Sequence, residues 1–426
     1  VKLLRSDYDS ENLTVIVPVG GRAQRLLPLT AETSKACLRL LNRPLIEFSL
    51  LSLARQGVKS FIFGVKGYRN YRDLYDYFES GYGFSARYGI IPRVHIKYQP
   101  NVDDLGSADS VRINMDYYNI RGPVFVVQGD NIFDINLQEF TNFHVEKESL
   151  VTIALWQVEN VEGYGIAKIN SDGRILKFVE KPTLDKAPSN LANTGLYLLS
   201  PEVRKIFLEE DVKKIMRERK RLDFGYDFIP YIIETGRPVY GYVLKGSWYD
   251  VGTPQRYLEA MRDLLEGRFS SLRDFGGRID GQSRVWIQGE SFESMKRRKE
   301  IIRKIKRGSI EVEGSVLIGR HCKIDDGARI VNSCIDNYTK VGKNSVVENS
   351  AVMDRSIIEE GAEIKDSIIG RHVTVLSNLN NPTKIAMNSV IADDVIIDEG
   401  STLLATKVYP HQRVKGFFEN QILLQR

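Results

Sequence analysis

The sequence predicts a doubly wound, mostly parallel α/β sheet followed by a parallel β-helix. Three observations predict it. Short apolar runs alternate with helix-like stretches up to about residue 262. A polar and then strongly basic stretch follows, over 263–308. From 309 to 426, aliphatic residues recur at a steady interval of about six. The expected domains are therefore 1–262, 263–308 and 309–426.

In the first part, Leu13–Val19, Ser60–Val65, Val94–Tyr98, Val124–Val127 and Val151–Leu155 read as strands. Pro44–Gln56 and Asn70–Phe78 read as helices between them. Sheets of this kind bind ligands beyond the carboxyl ends of their strands. That rule directs chemistry to Gly20–Arg25, after the first strand, and to Gly129–Asp130, after the fourth. In the second part, Ser294–Arg307 carries Lys296, Arg297, Arg298, Lys299, Arg303, Lys304, Lys306 and Arg307. Ile301, Ile302 and Ile305 add an apolar stripe at helical spacing, so the stretch reads as a solvated helix docked by its isoleucines. A basic patch for nucleic acid or an acidic membrane is the other reading.

The third part is the most regular. Ile318, Ile324, Ile330, Ile335, Val341, Val347, Val352, Ile358, Ile364, Ile369 and Val375 follow steps of 6, 6 and 5, a repeat of 17. Ile318, Ile335, Val352 and Ile369 form one column, and Ile324, Val341, Ile358 and Val375 another. Asn332–Ser333, Asn349–Ser350 and Asp366–Ser367 recur at the same interval, as turn residues do. A period of six turns one aliphatic residue inward on each flat side of a β-helix. The pattern loosens at Leu376–Met387 and resumes at Ile391, Ile397 and Leu403. A β-sandwich of short strands would not hold a 17-residue register.

Composition narrows the functional classes. A net charge of +5 on 426 residues fits a protein that handles small anions without demanding a nucleic-acid partner. No apolar run has a membrane-spanning length, and Asp7, Asp9 and Glu11 stand where a signal core would be apolar. Cys37, Cys322 and Cys334 have neither disulfide-framework nor zinc-ligand spacing. The cytoplasm is the default compartment.

Several short segments carry chemistry. In "VIVPVGGRAQRLLPLTAETSKACLRL", Gly20 and Gly21 let backbone N–H groups approach a phosphate, and Arg25 and Lys35 can neutralise its charge. "QPNVDDLGSADSV" is a polar turn ahead of a helix. "VFVVQGDNIF" sets Asp130 at the carboxyl end of a strand, where it can hold a Mg²⁺ bound to phosphates. Each Asp taken alone could simply cap a helix.

Taken together, these segments resemble the sugar-1-phosphate nucleotidylyltransferase (NDP-sugar pyrophosphorylase) family, whose signature is written GGxGTRLxPLT followed by a Lys. Ser34–Lys35 looks like its thymidylyltransferase branch. Hexapeptide repeats resemble the left-handed β-helices of many acyltransferases and nucleotidylyltransferases. The resemblance implies a Rossmann-like catalytic domain, with a tail like that of ADP-glucose, GDP-mannose and archaeal mannose/glucose-1-phosphate enzymes. It implies nucleotide binding by Gly20, Gly21, Arg22, Arg25, Lys35, Gln99, Gly106, Ser107 or Ala108, and Asp130. Gln99 would present its amide to the base. "WYDVGTPQRYLEA" matches the late W-x-D-x-G-T segment, giving Asp250 as the second Mg²⁺ carboxylate. "YGIAKI", "FVEKP" and "ANTGLY" stand in family order, implying sugar-phosphate contacts from Gly165, Glu180, Lys181, Asn193 and Gly195. The chain departs from the signature at Ala23-Gln24, where the family has Gly-Thr. A non-glycine residue at positive φ costs on the order of 1 kcal/mol.

The implied reaction is an in-line attack of a sugar 1-phosphate oxygen on the α-phosphorus of a nucleoside triphosphate. Arg25, Lys35, Asp130 and Asp250 are the catalytic candidates, and glucose 1-phosphate and mannose 1-phosphate the leading acceptors. Two other readings stay open. His321 and His372 share a column with Tyr338 and Arg355, which admits acyl transfer in the β-helix. Ala23-Gln24 admits a non-catalytic regulatory subunit that binds nucleotide sugars. A homo-oligomer assembled through the β-helix is expected.

Overall fold

The computed structural model describes residues 5–21, 23–281 and 283–424. The chain divides into two compact units: Val1–Gly21 with Leu45–Asp250, and Arg22–Pro44 with Val251–Arg426. The segment 22–44 is therefore part of the unit built on the β-helix, although it lies near the start of the chain. Among the described residues, no helix is long and apolar enough to cross a membrane.

The first unit is a nine-stranded sheet. Four of its strands, β1 (Thr14–Val19), β2 (Ser60–Val65), β3 (His95–Tyr98) and β4 (Val124–Val127), are parallel in the order β4-β1-β2-β3, with β3 at one edge. β1 and β2 are buried from their second residue onward and β4 along its whole length, which is why they read as continuous apolar runs. Beyond β4 the sheet becomes mixed. Leu191–Leu199 pairs antiparallel with β4 and also with Val151–Gln157 and Gly165–Ile169. The hairpin of Gly165–Ile169 and Ile175–Glu180 forms the opposite edge, with its turn at Asn170–Arg174. Antiparallel partners joined by short turns need no crossover helix, so the alternation that predicts parallel strands ends near residue 150. Helices Leu45–Arg55, Tyr68–Phe78 and Ser107–Tyr117 connect the parallel strands.

The second unit carries three all-parallel sheets of eight, seven and six strands, which is the parallel β-helix expected from the repeat. The predicted columns are its ladders. Ile318 pairs with Ile335, Ile335 with Val352 and Val352 with Ile369, while Ile324, Val341, Ile358 and Val375 line a second sheet. All of these residues are buried in one core. The five-residue step falls at the corner where Asn332, Asn349 and Asp366 adopt φ of 46°, 47° and 44°. Asn and Asp tolerate that left-handed region better than most side chains. The serine after each turns inward and forms a ladder. Ser350 N donates to Ser333 Oγ and Ser367 N to Ser350 Oγ, both at 3.0 Å. Around Leu376–Met387 the chain turns out through Asn378–Asn381 and re-enters with Ile385 beside Ile364.

The region 263–308 contributes to this unit directly. Val285–Ile287 is the first strand of the eight-stranded sheet. The basic stretch is a helix, Phe292–Lys306, capped by Ser291 and docked on the β-helix core through buried Ile301 and the flanking Ile302 and Ile305. Lys304 pairs with Asp326 at 3.0 Å.

Candidate active site

In the first unit, β1 ends at Val19 and the exposed Gly20–Gly21 follows, with Gly21 at φ 90°. Arg22 lies outside the described residues. In the second unit, Ala23 adopts the left-handed conformation (φ 44°, ψ 42°). Its carbonyl accepts Leu26 N–H at 3.0 Å and the Thr30 hydroxyl at 3.1 Å, which hold the strained residue in place. Arg25 and Lys35 line a cavity of about 290 Å³ with Ala23, Gln24, Leu26 and Gly252. Two cations beside a turn suit a phosphate group.

The two predicted metal carboxylates come from the first unit. Gly129-Asp130 follows β4, and the short strand Asn131–Phe133 pairs antiparallel with Trp248–Asp250. In that register Asp250 stands opposite Asn131, so Asp130, in the turn just before that strand, is one residue from the partner of Asp250; both are half-buried. Asn131 Nδ2 donates to Thr194 O at 2.5 Å, which draws the "ANTGLY" strand against the same turn. Gly195 (φ 78°) is needed there, because a Cβ would come within 2.5 Å of Gln128 Cγ. Two hard oxygen donors suit a divalent cation that completes its shell with phosphate and water. Among the described residues no group of three or more His, Cys, Asp or Glu could hold a metal, so the pair would need those other ligands.

The remaining candidates meet around a segment that the sequence reading passed over, Arg221–Asp227. Ser107 begins the helix Ser107–Tyr117, and its N–H donates to Asp223 Oδ1 at 3.1 Å. Ser107 Oγ donates to the same oxygen at 3.2 Å and accepts Phe224 N–H at 3.1 Å. Gly106 packs on the Asp223 carboxyl. The segment is held by buried Asp227, which accepts hydrogen bonds from Arg219, Arg221 and Asp223 N. Burial acts to raise the Asp227 pKa, but the Arg221 and Arg219 hydrogen bonds outweigh it and keep it below the usual range. Gly225 faces Glu180, leaving no room for a side chain there. Glu180 has its pKa raised, by burial first and by Asp223 in addition, against the pull of Lys181. Lys181 Nζ lies 4.0 Å from Glu180 Oε1 and 5.4 Å from the Tyr226 ring centre, and the Arg221 guanidinium lies 4.5 Å from the same ring. Asn193 Nδ2 donates to the Tyr197 hydroxyl at 2.8 Å.

The structure thus brings Gly106 and Ser107 together with Glu180, Gly165 and Lys181 through Asp223, Gly225 and Tyr226. A glycine between aromatic residues and two aspartates is the signal that could have marked this segment. Gln99, the residue expected to face a base, is held within its own segment. It is buried, its Nε2 donates to the carbonyls of Asn101 and Asp103, and its Oε1 accepts from Ser110 and Asn114. Its amide shapes the base-segment turn. The indole N–H of buried Trp248 has no hydrogen-bond partner among the described residues, and its ring packs edge-on against Tyr164 at 5.5 Å. In the second unit, His321 stacks on Tyr338 at 4.7 Å and His372 lies 3.3 Å from Asp394. Burial pushes the Cys322 thiol up to about 12, which leaves it without nucleophilic character.

Residues 14–267 match the model of the nucleotidyl transferase family, and 305–423 match the GMPPB C-terminal domain. The chain belongs to the nucleotidyl transferase family. A glucose-1-phosphate adenylyltransferase of Fervidobacterium nodosum is 31% identical over 319 residues, covering 70% of this chain and 74% of that protein. A UTP–glucose-1-phosphate uridylyltransferase of Synechocystis sp. is 26% identical over 372 residues, covering 84% and 88%. The crystal structure of a putative glucose-1-phosphate thymidylyltransferase from Bacillus anthracis shares the fold, with a TM-score of 0.50 and 24% identity over 59% of this chain and 96% of that one. Within this nucleotidyl transferase the matched span reaches from β1 to the helix Pro254–Leu265.

Proposed function

We propose that this nucleotidyl transferase joins a nucleoside triphosphate to a sugar 1-phosphate, forming an NDP-sugar and pyrophosphate. The observation that carries the reading is the pairing of Asn131 with Asp250, which brings the backbone of Asp250 next to the residue that follows Asp130. The cluster of Glu180, Lys181, Asp223 and Ser107 supports the sugar-phosphate half. The named relatives act on glucose 1-phosphate, so it is the leading acceptor here, with mannose 1-phosphate second.

In the mechanism, an oxygen of the sugar 1-phosphate attacks the α-phosphorus, the bond from that phosphorus to the bridging oxygen breaks, and pyrophosphate leaves with the electron pair. The nucleophile is already an anion, so positioning and charge neutralisation supply the catalysis. Asp130 and Asp250 would hold Mg²⁺, which supplies charge stabilisation to the phosphates. Arg25 and Lys35 stabilise the departing pyrophosphate, with the Gly20–Gly21 backbone donating N–H groups. Lys181 holds the acceptor phosphate, and Glu180, Asn193 and the backbone near Gly165 and Gly195 accept from or donate to sugar hydroxyls. The base lies against the Gly106–Ser107 backbone, which Gly106 keeps free of a side chain where it packs on the Asp223 carboxyl.

Self-association through the β-helix is part of the proposal. Its last coil exposes Phe417, Ile422 and Leu424, and the outer edges of its strands pair with nothing among the described residues. The cytoplasm is the proposed compartment.

The test is pyrophosphate release with Mg²⁺ across five nucleoside triphosphates and the common sugar 1-phosphates. Release with glucose 1-phosphate and one triphosphate is expected. Silence across the grid from folded protein overturns the reading. It would favour a regulatory nucleotide-sugar-binding subunit, with left-handed Ala23 as the first residue to change.

A further inference from the structure

We infer that the β-helix positions Lys35 on its phosphate-facing loop, with Arg39, Asp336 and Asp354 as the positioning residues. Its catalytic consequence rests on the nucleotidyl-transfer reading.

The segment 22–44 belongs to the β-helix unit, and the contacts that hold it there are specific. Arg39–Leu40 and Arg43–Pro44 form a tight hairpin whose turn residues, Leu41 and Asn42, are both left-handed. The Arg39 guanidinium makes a forked pair with Asp336, Nε to Oδ2 at 2.5 Å and Nη2 to Oδ1 at 2.9 Å. Its Nη2 also donates to the Asn42 carbonyl at 2.8 Å, closing the hairpin. Asp354, on the next coil, lies 3.5 Å from Arg39 Nε and is itself gripped by Arg371 at 2.7 and 3.1 Å. The Asp336 side chain is only 2% exposed. Water does not screen a pair that deep, and a planar fork fixes the direction of the arginine as well as its distance. Two further ties hold the hairpin. The Tyr257 hydroxyl donates to the Arg39 carbonyl at 2.5 Å, and the Asn42 side chain bonds Gln288 at 3.0 Å and Cys334 at 3.2 Å.

Lys35 stands one short turn before this anchor. Cys37 N donates to Ser34 O at 2.9 Å and Leu38 N to Lys35 O at 3.1 Å, so the turn bearing Lys35 runs directly into Arg39. On the other side of Lys35, both carboxylate oxygens of Glu32 lie 3.0 Å from His411 Nε2, on a later coil. The lysine is therefore suspended between two ties to the β-helix, one buried and forked, the other exposed. Substituting Asp336 removes the fork without altering Lys35, Arg25 or either metal-site carboxylate chemically.

The experiment compares wild type with Asp336→Asn and Arg39→Lys, using UTP, ATP and dTTP with glucose 1-phosphate and Mg²⁺. Asp336→Asn should lower kcat/KM for the triphosphate about tenfold and leave KM for glucose 1-phosphate within about twofold. Arg39→Lys, which keeps the charge and loses the fork, should fall between. Hydrogen exchange of the intact proteins supplies a readout independent of turnover. The amides of Leu26, Cys37 and Leu38 should exchange about tenfold faster in both variants, with those of Val15–Val17 unchanged. Unchanged exchange across 23–38, or equal losses for both substrates, overturns the proposal. If wild type releases no pyrophosphate with any pair, the nucleotidyl-transfer reading fails, and the exchange result alone decides the positioning.

Discussion

Asp130 and Asp250 are far apart in sequence, yet the pairing of Asn131–Phe133 with Trp248–Asp250 brings the backbone of Asp250 next to the residue that follows Asp130. Replacing either by Asn keeps the shape and removes the charge. Each variant should lose about 3–4 kcal/mol of transition-state stabilisation, roughly two to three orders of magnitude in kcat for pyrophosphate release, with little change in Tm. A second prediction concerns His144, which is fully packed between Thr152 Oγ1 (2.7 Å) and Ser200 Oγ (2.9 Å). Burial lowers its pKa to about 3. The unfolded chain protonates this histidine near 6.5 and the folded chain does not, so U binds the extra proton. Its stabilising contribution is therefore complete above about pH 6.5 and falls by about 1.4 kcal/mol for each unit below that, until the folded pKa is reached. Urea unfolding of wild type and His144→Gln between pH 7 and pH 5 should show a weaker acid dependence in the variant. The pairing of Asn131 with Asp250 and the bond from His144 to Ser200 could not be read from the sequence, because they join residues far apart along the chain.

Among elements, the serine ladder of the β-helix makes the repeat a matter of hydrogen bonds as well as aliphatic packing. Ser350 Oγ donates to Glu348 O at 2.6 Å and accepts Ser367 N–H, with no solvent access. Ser350→Ala leaves the Ser367 N–H buried and unsatisfied, which should cost about 1–3 kcal/mol. Thermal denaturation checks it, with the exposed Lys343→Ala on the same coil as a neutral control. The 17-residue register was legible because each flat side of the coil needs one inward aliphatic, so fold and periodicity are the same fact. The mixed edge of the sheet was less legible. Gly165–Ile169 pairs with its hairpin partner Ile175–Glu180 and with Leu191–Leu199, and apolar alternation does not distinguish a parallel from an antiparallel neighbour.

At the scale of the whole molecule, the linear order of motifs misstates the architecture. The signature segment sits near the N-terminus, but residues 22–44 belong to the unit that contains the β-helix. A chain stopped at residue 262 would keep Tyr257 and lose Asp336, Asp354, Gln288 and His411. Protease digestion of that fragment should cut within 23–44 at least about tenfold faster than in the full chain. Equal cutting rates would mean that the segment holds its form without the tail.

The sequence by itself determined the parallel core strands, the β-helix and its inward columns, the docked basic helix and the family motifs. These are set by local periodicity and short runs whose physics acts within a few residues. Only the tertiary structure decided that Gln99 braces its own turn, that Asp223 and Gly225 join the base segment to Glu180, and that Arg39 ties the cationic loop to Asp336. Each of these is a contact between side chains distant along the chain. Spacing along a sequence does not specify such pairs; the packing of the folded elements does.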